Sequence, residues 1–264
     1  MKKITLLVLL ICGFSINGQI TINNTQTPAQ LVQNVLIGAG VTPTNIKFNT
    51  SAASANLVRD QAARFDINFT PGNLGFPSNS KGVILTTGKA TVALGPNDST
   101  NLSDPTSVPV AGDPDLALLC GNTVRNVSVL EFDFVATGLV LNFDYVFGSE
   151  EYPEYVNSTF NDTFGFFLSG PGISGPYAGG ATNIALVPST NIPITINNVN
   201  NGYNNDGTCD NCAYYHNNSN IGVNPETATG PTVQYDGFTT VLRATSPLQC
   251  GETYHIKLAV GNVS

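Results

Sequence analysis

Apolar positions change their period along this chain, and the change outlines the fold. Near the start, Leu31, Val32, Val35 and Leu36 recur at helical spacing. Thr27 can cap that helix, Pro28 suits its first turn, Gln30 completes a capping box, and Gly38 or Gly40 ends it. The alanine-rich piece Ala52 to Ala63 predicts a second short helix on the surface. From Lys81 onward the period is two. Lys81-Gly-Val-Ile-Leu-Thr-Thr-Gly88 reads as a strand ending in a turn. Leu130, Phe132 and Phe134 alternate with Glu131 and Asp133, and Leu139, Leu141, Phe143, Tyr145 and Phe147 alternate with Asn142 and Asp144. The Ala-Thr-Gly between these two runs predicts a three-residue hairpin.

Further strands are expected at Thr163–Ser169, Asn183–Val187, Ile192–Ile196, Thr232–Ala244 and Thr253–Val260. Many short, half-buried strands between Gly, Pro and Asn turns describe a mainly β fold. The expected architecture is an antiparallel β-sandwich, jelly-roll-like, with one or two short N-terminal helices. Residues 197–230, dense in Asn and Gly, are expected to form a long surface loop. The alternating strand from Thr253 runs straight into Gly261–Ser264. That predicts a C-terminally truncated domain whose last strand lacks its partner.

Composition adds a compartment. Lys2 and Lys3, the apolar run Ile4–Ile11 and small polar residues at 15–19 read as a signal peptide over residues 1–18. The remaining 19–264 form a single exported β domain. Cys12 follows the bulky Ile11, which argues against a lipoprotein cysteine. No other run is long enough to span a membrane, so the mature domain is not expected to insert. Removing Lys2 and Lys3 moves the formal charge from −8 to −10. Such a surface excludes nucleic acid and anionic lipid as partners.

Cys120, Cys209, Cys212 and Cys250 follow the leader, an even count that suggests disulfides with three possible pairings. Placement favours Cys209–Cys212 as a small loop and Cys120–Cys250 as a long-range tie. Zinc held by Cys209, Cys212 and His216 lacks a clear fourth ligand.

The stretch FGSEEYPEYVNSTFNDTFGFF, residues 147–167, carries Glu150, Glu151, Glu154 and Asp162, and no Lys or Arg occurs between Arg125 and Arg243. Calcium takes six to eight oxygens from carboxylates, amides, carbonyls and water. Glu150, Glu151 and Glu154 follow one strand and Asn161 and Asp162 precede another, so the two ends would converge if those strands paired. A Ca²⁺ site on Glu150, Glu151, Glu154 and Asp162 is therefore expected, with no other cofactor. The spacing is not that of an EF-hand. Carboxylates bonded to backbone or facing water explain the motif equally well.

Together VLEFDFVATG, the acidic stretch with its following FLSGPGISGP, NIALVP, VQYDGFTTVLRA and CGETYHIKLAV resemble the choice-of-anchor L domain of bacterial extracellular proteins. GVILTTGKATVALGPN fits the N-terminal part of that domain. The resemblance implies a secreted or surface-displayed β-rich module with no catalytic activity to carry over. Anchoring is expected through parent-protein segments outside this chain. The function expected is a non-catalytic binding or adhesion module for an extracellular glycan or protein. A carbohydrate-active hydrolase using two carboxylates of the acidic motif is the alternative, as is a structural cap or spacer. A hydrolase needs two acids roughly 5–10 Å apart, one with a raised pKa.

Overall fold

The computed structural model describes residues 19–38, 40–49, 51–52, 60–68, 75–103, 112–219 and 232–263. The expected leader and residues 220–230 of the Asn- and Gly-rich segment lie outside them. Helix α1, Pro28–Leu31, has its capping box: Gln30 N donates to Thr27 Oγ1, and Thr27 N donates to Gln30 Oε1 at 2.9 Å. It continues as a wider turn over Val32–Leu36, burying Leu31 and Val32. The second helix expected at Ala52–Ala63 is not found at either end. Ser51–Ala52 is strand β3 and Ala62–Asp66 is strand β4; residues 53–59 lie outside the description. Ala62 and Ala63 are fully buried in a sheet, a setting that alanine spacing does not distinguish from a helix.

Among the described residues every strand pair is antiparallel, and the main sheet has six strands. Its order is β10 (Thr182–Asn183), β9 (Thr163–Ser169), β14 (Thr253–Val263), β6 (Val124–Val135), β2 (Pro43–Phe48) and β3. A second layer comes from β7 (Val140–Tyr145) paired with β13 (Leu242–Pro247). Phe143 and Tyr145 of β7 meet Phe164 and Phe166 of β9 across the layers in tilted and edge-on contacts, with ring centroids 5.3–5.6 Å apart. That aromatic seam is the sandwich core. Beside it, β1 (Thr21–Asn23), β4 and β5 (Lys81–Leu85) form one small sheet. Strands β8 (Gly148–Ser149), β12 (Gly237–Thr239) and β11 (Tyr215–Asn217) form another.

Three expectations change here. The Ala-Thr-Gly turn does not close a hairpin, because β6 pairs with β14 and β2 while β7 pairs with β13. The turn is a corner where the chain crosses between layers. The β13–β14 connection makes a matching corner, and the two are bonded: Ala136 N to Glu252 O at 2.9 Å, Gly251 N to Ala136 O at 2.8 Å and Leu248 N to Leu139 O at 2.8 Å. The last strand does not lack a partner, since β14 lies between β9 and β6. The segment from residue 197 is more than a surface loop, because Val199 and Asn200 are fully buried and Tyr215 is nearly so.

Helix α2, Pro114–Cys120, is fixed by charge. Asp113 caps it, accepting from Asp115 N and Leu116 N at 3.0 Å. Lys257 of β14 reaches Asp113 Oδ2 at 2.8 Å and Asp115 Oδ2 at 2.5 Å, with all three side chains largely buried. Cys209 and Cys212 form a disulfide, which removes both as zinc ligands, while Cys120 and Cys250 are free. The expected Cys120–Cys250 tie fails on distance. Cys120 lies before Val124, which pairs with Val263, whereas Cys250 precedes Thr253, which pairs with Val135. The length of β6, roughly 40 Å at about 3.3 Å per residue, separates them, and a bridge tolerates a Cα separation of only about 7 Å.

Candidate functional site

The acidic stretch begins where β8 pairs with β12. Gly148 opposes Phe238 and Ser149 opposes Gly237, so the next step of that register sets Glu150 across from Asp236. Tyr152 then turns inward and is wholly buried; its hydroxyl donates to Val199 O at 2.7 Å and its ring lies 4.9 Å from that of Tyr215. The chain turns through Glu151–Ser158, with Tyr155 N bonded to Glu151 O at 3.0 Å and Ser158 N to Tyr155 O at 3.0 Å. Asn197 pins the far side, accepting from Asn157 N at 2.7 Å and donating to Ser158 O at 3.0 Å.

The four expected carboxylates fall in two places. Glu151 belongs with Asp162. Ser149 Oγ accepts from Glu151 N at 3.0 Å and donates to Asp162 Oδ2 at 2.9 Å, and Val263 N donates to Asp162 Oδ1 at 3.3 Å. Glu150 and Glu154 belong instead with Asp236. The strands flanking the motif, β7 and β9, face one another across the layers and do not pair, so Glu151 and Asp162 meet through Ser149 and not through strand pairing. Among the described residues, no group of three or more His, Cys, Asp or Glu side chains is placed to hold a metal ion as it stands.

Burial dominates the electrostatics. It pushes the Glu150 carboxyl up to about 8, helped by the charges of Asp236 and Glu154 and opposed by the bond from Leu102 N. Glu151 rises to about 8 through burial and then Asp162. Burial raises Glu154, takes Asp162 to about 6 against its bonds from Ser149 and Val263, and takes Asp236 to about 7 against its bond from Asn97. Glu150 Oε1, Glu151 Oε2, Glu154 Oε2 and Asp236 Oδ2 are buried without a hydrogen-bond partner. The distant cations do not come: Arg243 is bonded to Asp144 at 2.6 Å, and Lys257 is held at α2. A cavity of about 310 Å³ borders the motif, with Glu150, Glu151, Asp162, Lys89 and Asn101 among its walls.

Sequence reasoning missed Asp236 and the amides behind it. Asn97 Nδ2 donates to Asp236 Oδ1 at 2.7 Å and to Asn218 O at 2.9 Å; Gln234 Nε2 donates to Asn97 Oδ1 at 3.2 Å and to Ser99 O at 3.0 Å. Asn218 Nδ2 donates to Val233 O and Tyr235 O. All four side chains belong to buried residues. The available signal was the Asp-Gly of YDGFTT, an acid followed by a residue with no side chain. Of the tyrosines around the acidic turn, Tyr152 and Tyr215 are buried, while Tyr155 and Tyr203 are exposed.

The family model described as choice-of-anchor L domain matches residues 19–264. No curated protein and no solved structure gives a significant match.

Proposed function

Since the chain belongs to the choice-of-anchor L domain family of cell-surface-associated or secreted bacterial modules, we propose that it is a non-catalytic binding module for an extracellular glycan or protein. One observation carries the reading. Tyr155 is 46% exposed, Phe160 40% and Tyr203 61%, all on turns that are otherwise tightly bonded. The Tyr155 and Phe160 rings meet edge to face at 5.3 Å, and Asn204 N bonds Pro153 O at 3.1 Å, which brings the Tyr203 turn against the same loop. Rigid turns bearing exposed aromatic rings among asparagine amides suit stacking on a sugar or peptide. Attachment to the cell would come from other segments of a parent protein.

Glycan and protein arrays test this. Binding is expected, and Tyr155→Ala and Tyr203→Ala should each weaken it at least tenfold with melting unchanged. Absence of any ligand would favour a spacer. One observation favours the hydrolase alternative: an acid raised to about 8, as Glu150 is, can stay protonated to act as a general acid near neutral pH. No release of reducing ends from polysaccharides is expected. Turnover that vanishes in Glu150→Gln or Glu154→Gln would overturn the non-catalytic reading.

A further inference from the structure

Asp236 is wholly buried at the start of a central strand, and only one of its oxygens is used. Asn97 donates to Oδ1 at 2.7 Å, while Oδ2 has no donor. Across the strand pair stands Glu150, whose Oε2 accepts from Leu102 N at 3.3 Å and whose Oε1 is likewise buried without a donor. Glu154 adds a third such oxygen, Oε2, and its charge acts on both neighbours. A well-packed fold does not leave several buried carboxylate oxygens bare unless something else satisfies them. Asn97, itself held by Gln234, fixes Asp236 through Oδ1 alone and leaves Oδ2 without a donor.

We infer that Glu150 and Asp236 together form a Ca²⁺ site, with Oε1 and Oδ2 as direct ligands and Glu154 joining through water. This replaces the sequence-based set of Glu150, Glu151, Glu154 and Asp162. Asp162 already has both oxygens bonded to Ser149 and Val263, so it has less to offer an ion. The donor set is oxygen alone, which suits a hard cation; backbone carbonyls and water complete the six to eight oxygens calcium takes. Magnesium demands a stricter octahedron and keeps its water, so it fits less well. Glu150 also lines the neighbouring cavity of about 310 Å³. The inference does not depend on the ligand-binding reading, and failure of the arrays would leave it standing.

The test combines melting and direct binding on the purified chain. Two millimolar Ca²⁺, roughly an extracellular concentration, should raise the melting temperature by several degrees over EDTA, with a smaller rise in Mg²⁺. Terbium should bind with luminescence sensitised by the nearby tyrosines and be displaced by Ca²⁺. Asp236→Asn and Glu150→Gln should each abolish the calcium shift and cut terbium affinity at least tenfold, while melting in EDTA no lower than the parent. Glu151→Gln should keep both responses. No calcium shift and no terbium signal in the parent chain would overturn the site. So would responses that survive Asp236→Asn but vanish in Glu151→Gln and Asp162→Asn.

Discussion

Gly237 decides how closely β12 and the acidic turn can approach. A Cβ there would lie 2.6 Å from Tyr152 Cβ and 2.7 Å from its Cγ. Tyr152 cannot step aside, because it is wholly buried and its hydroxyl is bonded to Val199 O. Gly237→Ala should therefore cost about 1–3 kcal/mol of stability by overpacking, measured by urea unfolding. Gly138→Ala, where a Cβ meets nothing within 4 Å, is the control and should change stability by no more than about 0.5 kcal/mol. A second residue-scale consequence concerns His255, which bonds Asp133 Oδ1 at 2.6 Å and lies 3.4 Å from Glu131. Its pKa is raised by Glu131 and then Asp133, against burial. Glu131 is lowered mainly by His255, and Asp133, despite burial, by Asn45 and His255. A raised histidine contributes stability below its unfolded value of about 6.5 and loses it as pH rises through the folded value. The lowered acids contribute above about 4.5 and lose their share as pH falls. The cluster is thus most stabilising between about pH 4.5 and 6.5. Melting of His255→Gln should fall below the parent at pH 5.5 and converge with it by pH 8.5. A constant gap across that range would refute the assignment.

At the scale of elements, α2 rests on an ion cluster that its own sequence does not announce. Asp113 and Asp115 are held by one lysine from a strand far along the chain, with the Lys257 side chain 11% exposed. Removing Lys257 leaves two largely buried carboxylates unpaired. Lys257→Ala should destabilise by about 3–5 kcal/mol, and Lys257→Met, which keeps the packed stem without the charge, should lose nearly as much if charge dominates. Chemical unfolding of the two variants distinguishes charge from packing. The same contrast explains what could be read in advance. The aromatic run Thr163–Ser169 located β9 at its observed bounds, and the Thr27–Gln30 capping box located α1, because both signals lie within one element. Pairing is set by distant residues. Alternation in 130–147 is equally consistent with a hairpin and with two layers. The layers win because Phe143 and Tyr145 must meet Phe164 and Phe166. For the same reason Glu150 was legible as part of an acidic cluster, but its counterpart Asp236 was not: only the β8–β12 register joins them.

For the whole molecule, the last strand is the keystone. β14 runs for 11 residues and bonds β6 on one side and β9 on the other, with Tyr254, Ile256, Leu258 and Ala259 buried. Its partners stand far upstream, so the main sheet cannot close until nearly the whole described chain is present. Such non-local pairing slows folding, because loop-closure entropy is spent before the contacts form. It also ranks local stability. Central strands flanked on both sides open only with the global transition, while short edge pairs open locally. Native-state hydrogen exchange should accordingly find the slowest amides in β14 and in the facing parts of β6 and β9. Exchange in β1 and β10, which are three and two residues long, should be faster by orders of magnitude. Replacing Leu258 by Ala should accelerate the slow set together, by about 2–5 kcal/mol of lost stability, since the side chain is buried in the seam. Exchange in β14 as fast as at the sheet edges would show that the two layers are held together elsewhere, at the β8–β12 sheet and its acidic turn.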